Sequence, residues 1–136
     1  MKKKNIIIIF PSDINQFRVA NYSFRSFNNR DVDIGKEYYY IIPSDFRDSF
    51  QIRNGNIFDS YDDYSYLINK KYDLAIDLTF GDDPNLYRIM RKIKSQTKIG
   101  FAKNKLNKFL NVMIDISKDD PVEKGYINII RMIDAI

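Results

Sequence analysis

The sequence predicts one α/β domain in three layers, helices covering both faces of a mainly parallel sheet, and three observations carry that prediction. Short apolar runs such as 6–10 (IIIIF) and 74–78 (LAIDL) suit strands buried on both sides. Segments with apolar residues at spacings of three and four lie between such runs, and strands alternating with helices imply a parallel sheet with right-handed crossovers. A length of 136 residues matches a single core, and 44% apolar with 15% aromatic residues is too rich for a disordered chain.

The first strand, over 6–10, is bounded by Pro11 and entered through Lys2, Lys3 and Lys4. Ile14, Phe17, Ala20, Phe24 and Phe27 then mark one face of a helix over 13–28, capped by Ser12 or Asp13. Residues 37–42 (EYYYII) form the second strand, stopped by Pro43. Tyr38, Tyr39 and Tyr40 cannot share one side of a strand. Either both of its faces are buried, or part of the aromatic excess, ten Tyr and ten Phe, belongs to a dimer interface or a sugar-stacking patch. Residues 44–60 read as irregular, with a turn at Asn54-Gly55-Asn56 and a short strand at Ile57-Phe58.

Tyr61, Tyr64, Leu67 and Ile68 make a short amphipathic helix, and 72–80 (YDLAIDLTF) is the clearest second core strand. Gly81-Asp82-Asp83-Pro84 breaks it and opens a helix, with Asp83 as cap, Pro84 in the first turn, and Leu86, Ile89, Met90 and Ile93 inward. A strand over 97–101, a helical turn over 103–110 and a strand over 112–116 follow. The last helix starts with Asp120 as cap, Pro121 next and Glu123 at the third position, and turns Tyr126, Ile130 and Ile133 inward.

The absence of Cys and His removes thiolate and imidazole chemistry and the commonest zinc and transition-metal ligands. Acid–base work falls to carboxylates, Lys or Tyr. The apolar run after the N-terminal lysines is too short for a signal peptide, and no stretch approaches the ~20 apolar residues of a membrane span, so the protein reads as cytoplasmic. Net charge is +4, from 22 Lys plus Arg against 18 Asp plus Glu. Arg88, Arg91, Lys92, Lys94, Lys98, Lys103, Lys105 and Lys108 form a block without an intervening acid. That block is either a solvated helix face with a loop, or a stripe that meets nucleic acid or an anionic surface, peripheral to the inner membrane.

In an open parallel sheet, ligands collect beyond the carboxyl ends of the strands. Asp13, at the first strand-to-helix turn, is the candidate general base and equally a plain helix cap. Ser12, Thr79, Asp82 and Lys103, at neighbouring strand ends, are the candidate binding residues. Asp82 and Asp83 resemble half of a magnesium site, yet Asp-Asp-Pro is also a helix-start signal, and no metal site is expected. Ser44 and Asp45 read as turn formers. Asp77 points to a polar edge, a cation or the crevice. Neither G-x-G-x-x-G nor G-x-x-x-x-G-K-[ST] occurs, so no cofactor is expected. A receiver domain is rejected because only Asp13 follows the first strand and Asp77 lies before its strand's end.

Three segments together resemble one family. Residues 72–78 (YDLAIDL) followed by 98–101 (KIGF) are similar to the YDLVIDLQG…RRIGF segment of heptosyltransferase-type glycosyltransferases. Residues 6–14 resemble that family's first strand and GD(V/I) turn, and 121–136 the helix closing its N-terminal domain. The resemblance spans nearly the whole chain on moderately specific motifs. It implies half of a GT-B architecture, in which one Rossmann-like domain holds the acceptor and a second holds the nucleotide sugar. It also implies that Asp13 occupies the place of the base that deprotonates the acceptor hydroxyl. Ser12 replaces the family's Gly, and Thr79-Phe80 its Gln-Gly.

With no second domain in the sequence, the expectation is a single Rossmann-like domain over 1–136, a glycosyltransferase-like binding or assembly subunit and not a complete enzyme. Its expected partners are a donor-domain chain or a second copy, and a saccharide or glycolipid acceptor. The other reading is a basic module binding nucleic acid or an anionic surface through residues 88–108, with nucleic acid the less favoured of its partners.

Overall fold

The apolar runs assemble, in a computed structural model, into one six-stranded sheet; the structure describes residues 3–29, 35–59, 65–81, 84–101, 110–115 and 120–136. In chain order the elements are β1 (Lys4–Ile9), α1 (Ile14–Ser23), β2 (Lys36–Ile42), β3 (Asn56–Asp59), α2 (Ser65–Asn69), β4 (Lys71–Asp77), α3 (Pro84–Lys92), β5 (Lys94–Phe101), β6 (Val112–Ile114) and α4 (Val122–Asp134). Every ladder is parallel, in the order β3-β2-β1-β4-β5-β6. The chain builds outward from β1 to β3, returns to β1's other side and builds outward again to β6. This is a Rossmann-like α/β fold whose direction reverses between β1 and β4.

Both faces of the sheet are covered, which is why its strands read as unbroken apolar runs. Ile6, Ile8, Tyr38, Tyr40, Leu74 and Ile76 pack against Phe17, Ala20, Tyr126, Ile129 and Ile133 of α1 and α4. Ile7, Ile9, Tyr39, Ile41 and Ala75 pack against Leu67, Ile89 and Met90 of α2 and α3. The tyrosine run thus divides between two cores. Among the described residues the exposed large aromatic side chains are Tyr22 and Tyr66. No helix among them is long and apolar enough to cross a membrane.

Several boundaries differ from expectation. α1 stops at Ser23 with Phe24 as its C-cap, and the chain tightens into a 3-10 segment, Arg25–Asn29; Phe24 and Phe27 are both still buried. Ile14, expected inward, opens the helix at 39% exposure, and the buried face starts at Phe17. β5 starts earlier than expected, at Lys94, and β6 is shorter. α4 starts at Val122 with Pro121 in the cap position and no side-chain cap bond. Asp120 instead pairs with Lys124 at 3.4 Å. Ile129 is buried where Ile130 was expected to be, with Ile130 partly buried. The helical turn expected over 103–110 lies outside the described residues except for Leu110.

The segment after β2 is ordered by side chains. It forms a 3-10 segment, Ser44–Ser49, and then runs extended past α1 with Phe50 and Ile52 buried. Asn21 donates to Ser49 O (2.9 Å) and accepts from Gln51 N (2.9 Å). Asn28 donates to Gln51 O (2.7 Å) and accepts from Arg53 N (2.7 Å). Two amides thus supply the hydrogen bonds that a neighbouring strand would otherwise give.

Candidate functional site

Where strand order reverses, the loops leaving two adjacent strands diverge to opposite faces and leave a crevice between them. Here those loops follow β1 and β4. Each first extends the ladder by one bond: Phe10 N donates to Ile41 O (2.9 Å), and Leu78 N to Ile9 O (3.0 Å). Pro11, Ser12 and Asp13 then lead into α1, with Ser12 and Asp13 exposed.

Asp13 is the N-cap of α1, its Oδ2 accepting Gln16 N–H at 3.0 Å. Of the two proposed caps, Asp13 takes the position. Capping occupies one carboxylate oxygen and leaves the residue exposed.

Opposite it, β4 ends at Asp77, three residues short of expectation, and Asp77 itself is the reason. Its carboxylate Oδ1 accepts Thr79 N–H at 2.9 Å, a bond to the residue two positions on that turns the chain out of the ladder. Asp77 is fully buried, opposite Ile9. Thr79 is 5% exposed, and its Oγ1 has no hydrogen-bond partner. A buried hydroxyl left so is costly. Gly81 closes the loop at φ +109°, a conformation glycine adopts without penalty.

Gln16 holds the two loops together. Its Nε2 donates to Phe80 O at 2.6 Å and its Oε1 accepts Phe80 N–H at 2.7 Å. This amide was not singled out from the sequence; its position three residues after the cap, on the helix edge facing the next loop, is the only signal it leaves. Of the residues expected in the site, Ser12, Asp13 and Thr79 border this crevice, whereas Asp82 and Lys103 lie outside the described residues. Among the described residues no cluster of carboxylates is arranged to hold a metal ion.

α4 reaches the same place from below. Tyr126 donates its phenol to Leu78 O at 2.9 Å. Burial first, then the charges of Asp77 and Asp13, push this phenol above its ordinary 10.0. Burial likewise raises Tyr72, and it raises Tyr39 against the opposing hydrogen bond from Lys70. The folded protein therefore holds these protons more tightly than the unfolded chain, which releases them first. The unfolding free energy should fall as pH rises above 10, in the region where the ordinary tyrosine value of 10.0 is passed. Lys98, depressed by burial, works in the opposite sense below 10.5. Denaturant titrations on either side of pH 10 check this, and Tyr126→Phe should flatten the dependence.

Among the described residues the basic block is divided. Arg88, Arg91 and Lys92 are exposed on α3 and Lys94 is exposed at the start of β5, but half-buried Lys98 donates to Met90 O at 2.9 Å and so caps α3. Lys103, Lys105 and Lys108 lie outside the described residues.

Neither a protein-family model nor a curated protein matches the chain. Among solved structures, the fold is similar to that of a glycosyl transferase family 9 protein from Veillonella parvula, with a TM-score of 0.64 at 15% identity over 96% of this chain and 41% of that one. It is also similar to the E. coli heptosyltransferase WaaC solved with ADP, with a TM-score of 0.61 at 13% identity. The same enzyme with ADP-2-deoxy-2-fluoro heptose gives 0.59 at 13% identity, and both comparisons cover 90% of this chain and 45% of the other. Identities this low show a shared fold. The chain spans less than half the length of these structures.

Proposed function

We propose that this domain is the acceptor-side lobe of a glycosyltransferase-like assembly, a binding unit that holds a saccharide in the crevice between the β1 and β4 loops. The observation that carries the reading is exposed Asp13 on one side of the switch point, tied through Gln16 of its own helix to the Phe80 backbone on the other. The likeness of fold to the glycosyl transferase structures supports it. Sugar hydroxyls donate as well as accept, and an exposed carboxylate acceptor suits them.

In this role Asp13 accepts the hydrogen bond of the acceptor hydroxyl, and during transfer it takes the proton as that oxygen attacks the anomeric carbon. Binding the donor diphosphate and stabilising the departing charge belong to a donor-side lobe, wherever it is encoded. Ser12, Asp82 and Lys103 complete the proposed binding set.

Amide chemical-shift mapping with neutral oligosaccharides tests this. Shifts should concentrate at residues 12–16 and 79–81, and Asp13→Asn should weaken binding by about 1.5–3 kcal/mol, the contribution of a hydrogen bond to a charged group. Shifts elsewhere would refute the site. Transfer or hydrolysis of a nucleotide sugar by the purified chain alone, abolished by Asp13→Asn, would overturn the role of binding unit.

A further inference from the structure

The sheet edge opposite the crevice has its own chemistry. Four neighbouring strands, β2, β1, β4 and β5, each begin on a lysine: Lys36, Lys4, Lys71 and Lys94. Parallel pairing sets Lys4 beside Lys36 and Lys71 beside Lys94 as direct register partners. The β1–β4 register, with Ile6 opposite Leu74, extends to Lys3 opposite Lys71. Lys92, ending α3, is separated from β5 by one residue, Ile93. Segments distant in sequence thus bring their cations to one row.

Like charges directly opposite on adjacent strands repel, so such a row needs a reason. Helix C-termini explain part of it, because Lys36 Nζ donates to Ile133 O at 2.9 Å at the end of α4. Lys92 likewise stands in the last turn of α3, but helix C-termini do not explain Lys3, Lys4, Lys71 and Lys94, which are exposed and have no ion-pair partner among the described residues. The nearby acids are engaged elsewhere. Asp73 Oδ2 accepts Asn5 N–H at 2.8 Å, and Glu37 Oε1 accepts from Asn56 Nδ2 at 3.4 Å. Asp134 stands in the last turn of α4, also with a partner.

We propose that this edge docks on the anionic headgroup surface of a lipid bilayer. The cations come from the aligned ends of adjacent strands, so they face outward along an edge and do not line a groove. They are lysines, point charges without the planar fork that reads bases. A single-stranded nucleic-acid site combines a basic groove with stacking rings, whereas an anionic bilayer asks only for clustered cations near its surface. Ile136, 44% exposed and three residues beyond the carbonyl that Lys36 grips, adds an apolar contact beside the row. Docked this way, the carboxyl ends of the strands, and with them the crevice, face away from the membrane.

Co-sedimentation of the full chain with phosphatidylcholine vesicles, with and without phosphatidylglycerol, tests the proposal independently of any saccharide. Binding should require phosphatidylglycerol and weaken with salt. Each lysine near such a surface is worth about fivefold, so the triple variant Lys4→Gln, Lys71→Gln, Lys94→Gln should lose on the order of a hundredfold. Lys124→Gln, at the opposite edge, should bind as the wild type does, and the three arginine replacements should retain binding. Equal binding to neutral vesicles, salt-insensitive binding, an undiminished triple variant, or tighter lysine-dependent binding to DNA than to the vesicles would each overturn it; the last would assign the edge to nucleic acid.

Discussion

Alanine at Phe10 should lower the unfolding free energy by about 3–5 kcal/mol, the range for deleting a large buried aromatic. Phe10 is fully buried where β1 leaves the sheet. Its ring meets Phe17 at 6.0 Å, Phe24 at 5.7 Å, Tyr40 at 6.2 Å and Phe50 at 5.0 Å, each near edge-to-face. It therefore joins α1, β2 and the extended segment after β2 in one cluster. The cost of such a deletion depends on how far the surroundings collapse, and here they are held. Asn21 fixes the backbone on both sides of Phe50 through Ser49 and Gln51, so that ring cannot follow into the void. Against a total stability of roughly 5–15 kcal/mol the loss would leave the protein marginal. Urea unfolding measures it, and a loss under about 1 kcal/mol would mean that the segment after β2 yields despite its clamps.

The same clamps explain what could be read from the sequence and what could not. A strand buried on both faces needs apolar residues at every position, so β1, β2 and β4 stand out as runs without any knowledge of their neighbours. The helix face Phe17-Ala20-Phe24-Phe27 is equally visible, even though the structure divides it between α1 and a 3-10 segment. Residues 49–53 have no period to find, because Asn21 and Asn28 order them from far away in the chain. The end of β4 was misplaced because Asp77 stands in an apolar run as a strand residue would, while its carboxylate turns the chain. At the site, Asp13 was visible as a polar residue at a strand-to-helix turn, a signal shared by caps and bases alike. Gln16 was not visible, since its partner is a backbone. The lysine row was invisible for a further reason: it exists only once strand order sets β2, β1, β4 and β5 side by side.

Gly125 is the clearest case of a residue whose meaning is set by tertiary contact. In a helix interior glycine costs about 0.5–1 kcal/mol relative to alanine, so alanine there would ordinarily stabilise. A Cβ at this position would lie 2.5 Å from Phe101 Cε1 and 3.1 Å from Cζ. Phe101 is fully buried, with Tyr126 at 5.7 Å on one side and Phe80 at 5.0 Å on the other. It can move only by moving them. Gly125→Leu should therefore destabilise at or beyond the upper end of the about 1–3 kcal/mol seen for overpacked cores. Gly125→Ala should lose less, with part of the loss offset by helix propensity. Adding Phe101→Leu to Gly125→Ala removes the obstructing ring edge, and the pair should be less destabilised than the sum of the single changes, a coupling of about 0.5–3 kcal/mol. The displacement has one further place to go. Phe80 is the residue whose N–H and C=O Gln16 grips, so pressure from Gly125→Ala through Phe101 arrives at the crevice wall. The Phe80 and Gly81 amide resonances should shift in Gly125→Ala and return toward wild-type positions in the double variant. Shifts confined to α4 and β5 would show instead that the crevice is insulated from the close approach of α4 to the sheet.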